Sequence, residues 1–349
     1  MTSRVMAAVQ GGAQVGSMLT RWTTVVPLCL AMSTVGCNAK RFVMTKAIEG
    51  QVDYFDHETS NSGLEQLTER VYTFSHHWER GIVIRTDEGL VVSDTFGPSY
   101  TRALLDALRR AGIDDPVHTV IYSHYHLDHV GGAAELSPTQ ILVHEDAPHF
   151  WAEAAPRELA TPTRYVTGEP TLEIGGVQIE LVDTSAAHSA TLYALYLPQE
   201  GLLYAPDTLA PNVVLLGGAP AVPLRAYFGV MAKLDALPFE TFVASHFGYG
   251  SKQDFRNTVA MLEDAWSTAR TIFADYGWTE GNLHTHRDDT AEAFGRFYDE
   301  LHQRYGDWHG FDQNILSAFV RLYTAELSGD MTASPDVLAP EFASAAHVH

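Results

Sequence analysis

The chain has 349 residues, 46% hydrophobic and 19% charged, enough for one large domain with a sizeable core or for two ordinary ones, and disorder over the whole length is excluded. Lys and Arg number 22 against 43 Asp and Glu, and the formal charge of -21 argues against a nucleic-acid partner, because such a field repels a phosphate backbone. Both cysteines, Cys29 and Cys37, lie near the N-terminus, which removes zinc ribbons, iron–sulfur clusters and cysteine nucleophiles from the body of the chain, whereas 17 histidines leave imidazole abundant as a metal ligand.

In chain order, Arg21 and Trp22 precede an apolar stretch over residues 23–36 that is too short to span a bilayer as an ordinary helix. Residues 1–37 therefore read as a secretory leader, with a buried apolar helix as the competing reading, and initiation at Met18 would give that leader a more ordinary length. Ser33-Thr34-Val35-Gly36-Cys37 resembles a bacterial lipobox, which implies cleavage before Cys37, a lipid on its thiol, and an exported protein anchored on the periplasmic side of a membrane. Residues 38–68, polar and weakly patterned, read as a tether. From residue 69, β-rich segments at 70–74, 81–85 and 90–94, split by the turn signal Asp87-Glu88-Gly89, predict a strand meander. A helix over 100–110 puts Leu104, Leu105 and Leu108 on one face and stops at Gly112. The apolar strand 117–122 then runs directly into Ser123-His124-Tyr125-His126-Leu127-Asp128-His129. A second half repeats the theme, with strands at 177–182, 192–197, 202–205 and 241–244 and a helix near 224–237. Two strand-rich halves with helices outside predict an α+β fold, a four-layer αββα sandwich over 69–250. Helical periods at 255–276, 290–305 and 314–327 predict a C-terminal helical appendix over 251–327, with Phe294, Phe297, Tyr298 and Leu301 as core or cleft wall, and 328–349 reads as a mobile tail.

His124, His126, Asp128 and His129 place four potential metal ligands in six residues at the end of a predicted strand. His124 and His126 share one side of an extended segment, so both can grip one cation, while the following turn lets Asp128 and His129 face a neighbour. Gly131-Gly132 allows close backbone approach where the next helix begins. This run resembles the HxHxDH signature of the metallo-β-lactamase superfamily. The pattern continues with His188 in Ala187-His188-Ser189, Asp207 in Pro206-Asp207-Thr208 and His246 in Ser245-His246-Phe247-Gly248, each at a predicted strand end, and with Asp94 in Val92-Ser93-Asp94-Thr95.

The resemblance covers about residues 69–250 and implies the metallo-β-lactamase sandwich. It assigns His124, His126 and His188 to a first metal, Asp128, His129 and His246 to a second, Asp207 to a bridge between them, and Asp94 to the support of ligand orientation. A set without thiolate suits two Zn ions, although imidazole and carboxylate also accept Fe or Mn. The β-lactamases proper carry a thiolate or hydroxyl residue where Asp207 stands, so the chain looks instead like the glyoxalase II, lactonase and phosphodiesterase branches. The activity implied is metal-dependent hydrolysis of a small ester, lactone, thioester or related molecule by a hydroxide shared between two metals, with Asp128 as the catalytic residue that orients it and carries its proton. Two alternatives stand beside it. A periplasmic β-lactam hydrolase is favoured by export and opposed by Asp207, and a non-catalytic metal-binding envelope lipoprotein is opposed by the complete ligand set. His76 and His77, at the end of a strand, are expected to border the substrate cleft; His118, His144 and His149 read as ordinary surface or supporting residues.

Overall fold

Successive side chains of a strand point to opposite faces, so a strand that is apolar at every position must be covered on both sides. Several strands of this chain meet that description. Ile82 and Ile84 fall on one face of their strand and Val83 on the other, Val91 opposes Leu90 and Val92, and Leu195 opposes Ala194 and Tyr196; all are buried. The computed structural model describes residues 62–151, 159–214, 223–279 and 289–327. The leader with Cys37, residues 38–61 of the tether and the tail 328–349 lie outside the described residues.

One sheet has seven strands in spatial order β1 (Gly63–Gln66), β2 (Val71–His76), β3 (Glu79–Thr86), β4 (Gly89–Ser93), β5 (Val117–Ile121), β6 (Gln140–His144) and β7 (Arg164–Val166). β1 to β4 form an antiparallel meander, whereas β4 to β7 pair in parallel. Parallel neighbours need a crossover. That from β4 to β5 is α1 (Pro98–Arg110), which has Pro at its first turn and Arg109 and Arg110 in its last, matching the helix dipole. The crossover from β5 to β6 holds the single-turn helices α2 (Leu127–Val130) and α3 (Ala133–Leu136), and α4 (Ala147–Trp151) follows β6. The second sheet runs β8 (Thr171–Ile174), β9 (Val177–Asp183), β10 (Tyr193–Leu197), β11 (Leu202–Tyr204), β12 (Thr241–Val243), β13 (Tyr249–Ser251), antiparallel except for β11 and β12, between which α5 (Leu224–Asp235) lies. Three helices complete the described chain: α6 (Lys252–Asp275), α7 (Thr290–Tyr305) and α8 (Phe311–Leu327).

Three apolar layers make this a four-layer αββα sandwich. Between the sheets, Ile82, Ile84 and Val91 meet Ile179, Leu181 and Leu195. On the outer face of the first sheet, Val83 and Val92 pack with Leu104 and Leu108 of α1. On the outer face of the second, Tyr196, Leu203 and Phe242 pack with Met231 of α5, and the same cluster continues through Trp266, Phe297 and Phe319 of α6, α7 and α8. The C-terminal helices thus share a core with the second sheet.

The structure differs from the sequence reading at the edges. The first sheet begins at Gly63 and not at residue 69: β1 pairs antiparallel with β2 in the register Leu64↔Phe74, although Gly-Leu-Glu-Gln has one apolar side chain and little strand propensity. β6, β7, β8 and β13 were not expected either. Each is only three to five residues long, too short for a period-two pattern to stand out.

Candidate metal centre

Every residue of the proposed ligand set follows a strand end on one rim of the sandwich. His124 comes after β5, His188 after β9, Asp207 after β11 and His246 after β12, while Asp94 directly follows β4. The ligand atoms of His124, His126, His188 and Asp207 lie within 4.8 Å of one another, and so do those of Asp128, His129 and His246. Asp207 faces both groups. Its Oδ2 is 3.1 Å from His188 Nε2 and 3.5 Å from His124 Nε2, and its Oδ1 is 3.2 Å from His246 Nε2 and 3.3 Å from His129 Nε2. The residue takes a positive φ of 52°, and its backbone N–H donates to Ser245 Oγ (3.0 Å) while that hydroxyl donates to Oδ1 (2.5 Å).

The far nitrogens of the rings are occupied. Asp94, fully buried, accepts from the Ser123 backbone N–H (2.7 Å) and hydroxyl (2.6 Å), from His129 Nδ1 (3.0 Å) and from the Tyr204 hydroxyl (3.2 Å). With its one proton given to Asp94, the Ser123 hydroxyl accepts from His124 Nδ1 (2.9 Å). His246 Nδ1 donates to the Trp78 carbonyl at 3.2 Å. In the neutral rings these bonds put the lone pair on Nε2, which all three turn toward Asp207. His124 Nε2 and His129 Nε2 are buried without a hydrogen bond. Lone pairs and a carboxylate converging in a buried space repel one another unless positive charge joins them. Burial, with His129 beside it, holds His124 well below the ordinary imidazole range, and burial with His188 brings His126 down to about 4, so both rings keep a lone pair at neutral pH. Burial opposes a charged Asp207 carboxylate and a charged His129; Asp207 is nonetheless held low, first by His129 and then by His246, and His129 is raised by Asp207 and Asp94. The donor set of imidazoles and carboxylates fits two divalent ions.

Asp128 is exposed at the mouth, in the group with His129 and His246. His76 bonds Ser62 Oγ (3.1 Å) and Ser99 Oγ (3.3 Å), and its neighbour His77 is exposed; in neither case is there a hydrogen bond or ring contact with the ligand cluster. The same turn reaches the cluster through residues that sequence reasoning passed over. Trp78 stacks on His246 at 4.3 Å and 15°, and Glu79 pairs with His246 through the backbone. Burial raises Glu79 to about 7 against the pull of His246 and His129, with Asp128 adding to the rise. Phe96 lies 5.0 Å from the His129 ring. Ser123 and Ser245 were also missed as participants, though each stands immediately before a ligand histidine, and that adjacency was the available signal.

The sequence profile of the metallo-beta-lactamase superfamily matches residues 81–246. Among curated proteins, the chain is 31% identical over 214 residues to the 2,4-dinitroanisole O-demethylase subunit alpha of Nocardioides sp. (strain JS1661), covering 60% of this chain and 64% of that one. It is 32% identical over 132 residues to the hydroxyacylglutathione hydrolase of Idiomarina loihiensis, covering 36% of this chain and 46% of the other. The chain therefore spans less than two thirds of the length of either relative. Among solved structures, a stereoselective inverting sec-alkylsulfatase from Pseudomonas sp. superposes with a TM-score of 0.58 at 18% identity, over 81% of this chain and 52% of that one, which is a likeness of fold. Residues 81–246 of the chain thus match the metallo-beta-lactamase superfamily.

Proposed function

We propose that this chain is a metal-dependent hydrolase of a small ester, lactone, thioester or related molecule, with two divalent ions, Zn in the first place, held by His124, His126 and His188 on one side, Asp128, His129 and His246 on the other, and Asp207 between. The observation that carries the reading is the pair of Asp207 oxygens, each within 3.5 Å of imidazole nitrogens from a different group. Divalent ions at such a site supply Lewis acidity toward an acyl-type oxygen and make water nucleophilic near neutral pH. The side chains do the rest. Asp94 and Ser123 fix the orientation of His124 and His129, Trp78 and Phe96 shield His246 and His129 from solvent, and Asp128, exposed at the mouth, orients the attacking water and carries a proton toward the leaving group. The relatives named as a hydroxyacylglutathione hydrolase and an O-demethylase subunit support a small organic substrate.

The test is a panel of esters, lactones and thioesters assayed before and after chelation and on return of Zn, Mn or Fe. Turnover that disappears with the metal and returns with it supports the proposal, and Asp128→Ala should lower it by about 10²-fold or more in a folded protein. Turnover indifferent to chelation, or an Asp128→Ala variant as active as the parent, would overturn it.

A further inference from the structure

The side of the rim beside the first ligand group is aromatic. Tyr125, between His124 and His126 in the chain, has its ring 4.6 Å from that of His126 and lies flat on Phe150 of α4, with centroids 4.2 Å apart and 10° between planes. Its backbone is fixed from two directions: the N–H donates to Thr191 Oγ1 at 3.1 Å, and the carbonyl accepts from Trp151 Nε1 at 2.7 Å. Both stacked rings are half-buried, and next to them Leu127 leaves 47% of its surface exposed, immediately before the exposed Asp128. An exposed leucine and an aromatic pair held rigidly beside a reactive carboxylate form a strip whose burial a ligand can complete.

We infer that the substrate carries an aryl group, which lies against the Tyr125–Phe150 stack and Leu127 while its reacting atom sits over the ligand cluster. The inference rests on the hydrolase reading only for the position of the reacting atom; the aryl subsite is a matter of binding and can be measured without turnover.

The measurement is the affinity of the metal-loaded enzyme for two unreactive probes, acetophenone and cyclohexyl methyl ketone, followed by ligand-observed NMR titration. Acetophenone should bind about three- to ten-fold more tightly than the cyclohexyl ketone, the range expected of one aromatic contact. Phe150→Ala should weaken acetophenone by about five-fold, leave cyclohexyl methyl ketone within about two-fold, and leave metal content unchanged. Phe150→Leu, which keeps the bulk and removes the ring, should behave alike and guards against a folding defect in the alanine variant. Equal affinity for the two ketones, or acetophenone affinity unchanged in both variants, would overturn the inference. Failure of the hydrolase reading looks different: acetophenone would bind as described while no ester, lactone or thioester was cleaved.

Discussion

Asp94 shows how one side chain sets the chemistry of several. Its carboxylate accepts from His129 directly and from Ser123, which in turn accepts from His124, so the tautomers of two candidate ligand rings depend on a group outside the ligand set. Asp94→Asn should keep the shape and disturb the protons, because an amide placed toward His129 Nδ1 can donate and push the ring proton to Nε2. We expect metal affinity, measured by competition with a chromogenic chelator, to fall by about 10- to 100-fold with the fold intact; an unchanged affinity would mean that Asp94 does not orient the rings. The residues that offer their own metal-ligating atoms were legible in the sequence, since His124, His126, Asp128 and His129 crowd into one strand end and the others stand at later strand ends in order. Asp94 could be placed as their support from the same pattern, whereas the aromatic neighbours could not. Trp78, Phe96 and Phe150 reach the rim from elements remote in sequence, and a tryptophan or phenylalanine at a strand or helix end reads as ordinary core until the fold brings it to the site.

At the scale of elements, α6 does more than cover the second sheet. Ser251 and Asp254 close a capping box at its start, and Asp254 also accepts from the Asn212 side chain at 3.2 Å while Thr258 accepts from the Asn212 backbone at 2.8 Å. Asn212 follows Asp207 in the same loop, so the helix start steadies the Asp207 carboxylate. The Ser251 side chain, then its backbone N–H, holds Asp254 below its ordinary value. For a depressed carboxylate the stabilisation is complete above the unfolded value, about pH 4, and is lost as pH falls through the lower folded value. Asp254→Ala should cost about 1 kcal/mol near neutral pH, and the gap between parent and variant in urea denaturation should narrow as pH drops below about 4; a gap constant with pH would contradict the capping role. The sequence reading began this helix at residue 255, where its apolar period starts, because the first turn before it is polar and belongs to the cap. β1 was lost for the opposite reason: its pairing with β2 is fixed by tertiary contact and leaves almost no mark on Gly-Leu-Glu-Gln.

At the scale of the molecule, the C-terminal helices and the second sheet share one apolar cluster, so cutting the chain after residue 250 should expose Phe242 and Leu203 and leave the metal rim without its outer support. Among the described residues no helix is long and apolar enough to cross a membrane. We propose that attachment comes instead from residues 1–37, with processing at Cys37 and a lipid on its thiol. Mass spectrometry of the processed N-terminus should find a diacylated Cys37, and Cys37→Ala should move the enzyme out of the membrane fraction; an uncleaved leader in the cytoplasm would defeat export and leave the site chemistry untouched. The layers of the sandwich were legible because both faces of so many strands are apolar, whereas the merging of the helices into the second sheet's core was not, since a shared cluster has no signature in linear order. In the proposed centre Asp207 serves two ion sites. Elemental analysis after metal-supplemented expression tests that most directly: the parent should plateau at about two ions per chain, the complement of the two ligand groups, and Asp207→Ala should lose metal from both, whereas a reproducible plateau at one ion, or an Asp207→Ala variant that holds as much metal as the parent, would contradict it.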